Sequence, residues 1–253
     1  MKQTIVAVIN QKGGVGKTTT ATNLAAQLAD IKTNVLLIDL DPQGNATSGL
    51  GLDKDVEPTT YEVLFGQVSL DQAVRPAGRE GLYILPANAN LAAAELELVA
   101  QPQREFALRG ALQVAAYDYI FIDCPPALGL LTINALTAAD AILIPVQSEY
   151  YALEGLGQLL ATVQRVKEAL NPRLDLLGVL LTMYDKRTSL SEQVMTELAN
   201  HFGDKLFKTV IPRNVRLAEA PSFGKTIAEH DRWSKGARAY KQFAKEVAKR
   251  VNG

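Results

Sequence analysis

The chain has 253 residues, 47% hydrophobic and 21% charged, with one cysteine and a formal net charge of −1. That is an ordinary globular composition, and α/β proteins of this length are commonly one domain, so a single domain over residues 1–253 is expected. Cys124 alone rules out an intramolecular disulfide framework and a zinc site of several thiolates, and no apolar run approaches the roughly 18–20 residues that span a bilayer.

In chain order, the N-terminus lacks the long apolar core and cleavage site of a secretory leader, so a cytoplasmic protein is expected. Thr4–Ile9 reads as a strand. It runs into Val8-Ile-Asn-Gln-Lys-Gly-Gly-Val-Gly-Lys-Thr-Thr-Thr20, which opens the helix expected over Gly16–Ile31. Strand, glycine-rich loop and helix together are the setting of a phosphate-binding loop. Gly13, Gly14 and Gly16 let backbone amides turn inward as an anion nest, and the helix start adds unpaired amides and its positive dipole end. Lys17 would reach the β- and γ-phosphates and the Thr18 hydroxyl would ligate Mg²⁺. Val15 and Thr19 complete the expected nucleotide cradle.

The second strand, Asn34–Leu40, ends in Leu37-Ile-Asp-Leu-Asp-Pro-Gln-Gly-Asn45. Asp39 and Asp41 are two apart and share a face if the strand continues. Pro42 ends it, which leaves Asp41 at the mouth of the site. Gly51–Gly81, broken by Pro58, Gly66, Pro76 and Gly78, reads as an elaboration on the sheet edge. After it come a strand at Leu82–Pro86, a helix at Pro102–Ala116 and the apolar strand Tyr119–Cys124. The last of these carries Asp123 near its end, in the manner of a Walker B carboxylate that holds Mg²⁺ directly or through water. A helix at Leu128–Ala138, a strand at Ala141–Val146, a helix at Leu153–Leu170, a strand at Leu174–Thr182, a helix at Ser189–Phe202 and a strand at Leu206–Ile211 follow. Continuous apolar runs in this alternation suit strands buried on both faces. The expected fold is therefore α/β, a mostly parallel twisted sheet flanked by helices, with the ligand at the carboxyl ends of the strands.

Charge is unevenly spread. His201–Gly253 holds twelve Lys/Arg and five Asp/Glu, a net of +7, so the preceding 200 residues carry −8. In the C-terminal segment Ala237, Tyr240, Phe243, Val247 and Val251 recur at helical spacing beside a basic stripe of Arg238, Lys241, Lys245 and Lys249. Such an apolar stripe is small for a helix facing lipid and suits packing on the domain. Together with Lys186, Arg187, Arg213, Arg216, Arg232 and Lys235, the basic stripe is a candidate DNA surface that neutralises phosphates without reading bases. A decorated solvent face would read the same way.

The loop departs from the general pattern, with Gln11 where the first glycine would stand and an added lysine, Lys12. KGGVGKTT resembles the deviant Walker A loop of the P-loop NTPases that include ParA/Soj partition ATPases, MinD and the nitrogenase iron protein. DLDPQGNATSGLG, YDYIFIDCPPALGLLTINALTAAD, PVQSEYYALEGL, LLTMYDKRT and VIPRNVRLAEAPSFGKTI narrow the likeness to the chromosomal ParA/Soj proteins. The iron protein needs cysteine pairs that one Cys124 does not supply. The resemblance implies slow ATP hydrolysis with ATP and Mg²⁺ as ligands, Asp41 positioning the attacking water, and Lys12 reaching the nucleotide of the other subunit. It further implies Asp39 and Asp123 around the metal, and Pro212 and Asn214 against base and ribose. The implied partners are a second copy in the ATP state, double-stranded DNA bound without sequence preference, and a ParB/Spo0J-type activator, with no membrane and a nucleoid-associated location. A MinD-like membrane-associated positioning ATPase and a nucleotide-dependent regulator of replication initiation stand as alternatives.

Overall fold

The computed structural model describes residues 3–30, 32–149 and 154–252. Its strands are β1 (Thr4–Val8), β2 (Val35–Asp39), β3 (Arg75–Pro76), β4 (Leu82–Leu85), β5 (Tyr119–Asp123), β6 (Ala141–Gln147) and β7 (Asp175–Thr182). They form one sheet in the order β3-β4-β2-β5-β1-β6-β7, parallel throughout except for the short antiparallel pairing of β3 with β4.

Successive residues of each strand point to opposite faces, and here both faces are apolar. On one side Ala7, Leu36, Ile38, Ile120 and Ile122 join helices Leu130–Ala138 and Glu154–Ala169. On the other, Val6, Val8, Val35, Leu37 and Phe121 join helices Lys17–Leu28 and Lys235–Asn252. Two-sided burial is why these strands lack polar alternation. The expected start of one helix at Leu153, and Tyr150–Leu153 of the PVQSEYYALEGL stretch, lie outside the described residues, as does Ile31 at the end of another.

The expected helix Pro102–Ala116 is broken into 3₁₀ turns at Arg104–Phe106 and Leu112–Val114 around a short helix, Ala107–Ala111. Helix Leu130–Ala138 takes up the backbone groups that a continuous ladder would use. Asn134 Nδ2 donates to the Arg104 carbonyl at 2.8 Å, Asn134 Oδ1 accepts the Leu108 amide at 3.1 Å, and the Thr137 hydroxyl donates to the Glu105 carbonyl. Leu206–Ile211, expected as a strand, forms no ladder. Phe207 and Ile211 donate to β7 carbonyls at 2.9 Å each, but between them Glu246 accepts the Lys208 and Thr209 amides at 2.8 and 3.0 Å. Side chains of the last helix thus satisfy this backbone in place of a neighbouring strand. The edge strand β3 has too short a pattern to read in sequence.

Gly81 fixes the entry to β4 and β2. Its φ is +76°, its carbonyl accepts the Val35 amide at 2.8 Å, and a Cβ there would lie 2.6 Å from the Thr33 carbonyl oxygen and collide with that of Asp30. Both obstacles are backbone. Gly81→Ala is therefore expected to cost about 3 kcal/mol or more, read as a lowered midpoint in urea unfolding. A change under about 1 kcal/mol would contradict this packing.

Candidate nucleotide-binding site

The sheet register brings the acidic strand ends to the glycine-rich loop. Asp123 is the lateral partner of Asp39 on one side and of Val8 on the other, and Val8 leads straight into the loop. The loop is pinned below by buried Asn10, whose Nδ2 donates to the Pro145 carbonyl at 2.7 Å and whose Oδ1 accepts the Lys12 amide at 3.0 Å. Gly14 and Gly16 sit at φ +75° and +89°, conformations that an L side chain resists. No Cβ neighbour lies within 4 Å of Gly13 or Gly14, so the cradle above them is open. Thr20 is the first residue to donate into the helix, to the Gly16 carbonyl at 2.9 Å. The amides of Lys17, Thr18 and Thr19 therefore precede the intrahelical ladder and face the cavity end.

That cavity measures about 820 Å³ and is lined by Gly13, Gly14, Gly16, Lys17, Thr18 and Thr19 from the loop and by Asp41 opposite. Lys17 is buried and its Nζ donates to the Lys12 carbonyl at 3.2 Å. Burial lowers its pKa, while Asp123 and Asp41 pull it back up. Asp41 Oδ1 accepts the Gln43 amide at 3.0 Å and its carbonyl accepts the Gly44 amide at 2.9 Å, so a tight turn carries the carboxylate.

The other two acids differ in kind. Asp39 is fully buried and both its oxygens are engaged: Oδ2 by the Thr47 amide and hydroxyl at 2.8 Å each, Oδ1 by the Asp41 amide at 3.2 Å. Burial pushes its carboxyl up to about 6 despite those donors. Asp123 is equally buried, but neither of its oxygens has a hydrogen-bond partner among the described residues. Burial, reinforced by Asp39 alongside, raises its pKa well above the carboxylate range. An orphaned buried carboxylate beside Lys17 and Thr18 is the donor that a hard cation would satisfy. Among the described residues no group of three or more His, Cys, Asp or Glu could hold a metal alone. The residues present thus fit Mg²⁺, which takes few protein ligands and completes its shell with water and phosphate.

Lys12 is exposed and its Nζ forms a close ion pair with Glu149. With both side chains nearly half accessible, such a pair contributes no more than about 1 kcal/mol and exchanges readily for another anion. Pro212 and Asn214 stand on a second cavity of about 340 Å³ that shares Gly16, Thr19 and Met183 with the first. Asn214 Oδ1 caps the short helix Val215–Glu219 by accepting the Leu217 amide. Val15 is buried beneath the loop, and its carbonyl accepts the Thr182 hydroxyl at 2.8 Å. Met183, Pro221 and Lys225 line the main cavity although no motif in the sequence singles them out for it. They come from chain segments about 165 and more residues beyond the loop, and only folding unites them.

Lys186, Arg187, Arg213, Arg216, Arg232, Lys235, Arg238, Lys241, Lys245 and Lys249 are all exposed. Arg187 is paired with Asp185 at 2.7 Å, and Arg216 with Glu219 at 2.9 Å. On the last helix Ala237, Tyr240, Phe243 and Val247 of the expected stripe are buried, with Ala244 beside them, while Val251 is half-buried against the same core, and the Tyr240 and Thr20 hydroxyls lie 3.1 Å apart. No helix among the described residues is long and apolar enough to cross a membrane.

Residues 3–176 match the family model described as an AAA domain. Over 247 residues the chain is 57% identical to the sporulation initiation inhibitor protein Soj of Bacillus subtilis, covering 96% of this chain and 98% of that one. It is 56% identical over 246 residues to the chromosome-partitioning ATPase Soj of Thermus thermophilus, covering 97% and 96%. Among solved structures, cobyrinic acid a,c-diamide synthase from Mycobacterium smegmatis with bound ATP analogue and magnesium aligns at a TM-score of 0.86 and 40% identity, over 99% of this chain and 96% of that one.

Proposed function

The chain belongs to the Soj/ParA family of chromosome-partitioning ATPases, and on that premise we propose that it is an ATP-operated partition switch. In this reading ATP and Mg²⁺ drive a homodimer that binds double-stranded DNA without sequence preference, and hydrolysis, stimulated by a ParB/Spo0J-type partner, releases it. The protein would then sit on the nucleoid within the cytoplasm while ATP is bound. The observation that carries the reading is the convergence of the loop Gly13–Thr19, Lys17 and Asp41 on one cavity at the carboxyl ends of parallel strands.

The amides of Gly13–Thr19 and the Lys17 ammonium hold the phosphates, with Pro212 and Asn214 on the base and ribose side. The Thr18 hydroxyl and Asp123 would hold Mg²⁺, which would supply neutralisation of the phosphate charge. Asp41 accepts a hydrogen bond from the attacking water and orients it. Lys12, weakly held by Glu149, extends to the nucleotide of a second copy and spreads charge there. Asp39, with both oxygens engaged, suits support of the Asp41 backbone better than the metal contact expected from the resemblance. The ten exposed basic side chains supply a sequence-blind phosphate contact. A MinD-like membrane role loses its main support, because the apolar stripe of the last helix is spent on the core.

The test is DNA retention with ADP or ATP–Mg²⁺ across a salt series. Binding is expected only with ATP–Mg²⁺ and should weaken as salt rises. Charge reversal at Lys241, Lys245 and Lys249 is expected to flatten that dependence. Absence of ATP-dependent binding would overturn the DNA half of the proposal.

A further inference from the structure

Beneath the cavity lies a buried polar chain whose central member has no assigned role. Thr47 is fully buried, on the short helix Asn45–Gly49. Its amide and hydroxyl both donate to Asp39 Oδ2 at 2.8 Å, and the same hydroxyl oxygen accepts the Ala87 amide at 2.9 Å. Asp39 Oδ1 in turn accepts the Asp41 amide at 3.2 Å. A continuous relay thus runs from the end of β4, through Thr47 and Asp39, to the backbone of Asp41.

The geometry constrains each member. A carboxylate is planar, so two donors on Oδ2 fix the direction in which Oδ1 accepts. That direction locates the Asp41 amide, and the turn closed by the Gln43 and Gly44 amides then locates the Asp41 carboxylate. The same segment is seated tightly on the end of β4. Gly44 has φ +60°, and a Cβ on it would lie 2.8 Å from the Ala87 carbonyl oxygen. The Thr60 hydroxyl lies 2.9 and 3.0 Å from the Asp39 and Pro86 carbonyl oxygens, bracing the two strand ends from below. A hydroxyl gives one proton and still accepts, and Thr47 uses both capacities. Valine has the same shape and neither capacity. It would leave the Ala87 amide unpaired and Asp39 Oδ2 with one donor.

We infer that Thr47 is a positioning residue for ATP hydrolysis, acting through Asp39 to set where the Asp41 carboxylate stands. This rests on the reading that Asp41 orients the attacking water. Misplacement of such a group by about 1 Å lowers turnover by on the order of 100-fold without weakening substrate binding.

The experiment compares wild type, Thr47→Val, Thr47→Ser, Asp41→Ala and the Thr47→Val/Asp41→Ala double variant. It reads single-turnover ATP hydrolysis, KM for ATP and the affinity for fluorescent ADP. Thr47→Val is expected to lower kcat by about 10- to 100-fold, with KM and ADP affinity within about twofold. Serine, which keeps the hydroxyl, should restore kcat to within about threefold of wild type, and Thr47→Val should add no loss in the Asp41→Ala background. Hydrogen exchange at the Asp41 amide should accelerate in Thr47→Val, with the loop amides Gly13–Lys17 unchanged. If Thr47→Val does not fold, Asp39→Asn replaces it in the same cycle with the same expectation. A wild-type kcat, or an equal loss in both backgrounds, overturns the inference. Undiminished hydrolysis in Asp41→Ala overturns instead the reading on which it stands.

Discussion

Alanine at Asp41 is expected to lower ATP turnover by about 10²- to 10⁴-fold while ATP–Mg²⁺ binding stays within a few-fold of wild type. Asp41 lines the same cavity as the phosphate loop, its carboxylate steadied by the Gln43 amide at 3.0 Å. It lies apart from the loop amides that are proposed to hold the phosphates. An interaction made chiefly in the transition state lowers kcat and leaves ground-state binding intact. A switch that binds ATP but cannot hydrolyse it should also stay longer on DNA. Parallel measurement of steady-state phosphate release and nucleotide affinity checks both halves. Loss of affinity in step with kcat would mean that Asp41 serves binding, and unchanged kcat would remove it from the chemistry.

Glutamine at Lys17 is expected to act on the other half of the cycle, lowering ATP affinity by on the order of 100-fold, or about 2.7 kcal/mol. Among the described residues Lys17 is the only buried Lys or Arg, and its Nζ already donates to the Lys12 carbonyl at the rim of the cradle. Asp123 and Asp41 offset the cost that burial imposes on its charge. The protein therefore holds a desolvated cation in place before any phosphate arrives, and a preorganised cation contributes more than one drawn from solvent. Glutamine keeps a donor on a side chain one bond shorter but removes the charge, which leaves the buried Asp123 without its cation. Calorimetric titration with a non-hydrolysable ATP analogue gives the answer. Affinity within about threefold of wild type would move the phosphates away from this loop. Read together, the two variants separate the tasks: Lys17→Gln loses binding first, Asp41→Ala turnover first.

The difference between the three strand-end acids carries a general lesson for this fold. In sequence, Asp39, Asp41 and Asp123 are alike, each near the end of an apolar run. In the folded chain both Asp39 oxygens are engaged by Thr47 and Asp41 donors, Asp123 is orphaned, and Asp41 lines the open cavity. Environment assigns their tasks, because a buried carboxylate with three donors and one with none offer a ligand very different things.

Much about this protein was determined by local sequence alone. The parallel sheet was legible because two-sided burial writes continuous apolar runs, as in Tyr119–Asp123 and Leu176–Leu181, and that signal is local. The phosphate loop was legible because its geometry needs glycine at Gly14 and Gly16 and a lysine next to a helix start, all within eight residues. The C-terminal helix and its buried stripe followed from a spacing of three and four. What required the tertiary structure are features in which one segment satisfies the backbone of another. Asn134 and Thr137 break the helix expected over Pro102–Ala116, Glu246 and Arg250 take backbone groups of Lys205–Thr209 that a strand ladder would use, and Thr47 ties Asp39 to Ala87. Each depends on hydrogen bonds between groups 26 to 45 residues apart, and no periodicity within a single segment records where such a partner will stand.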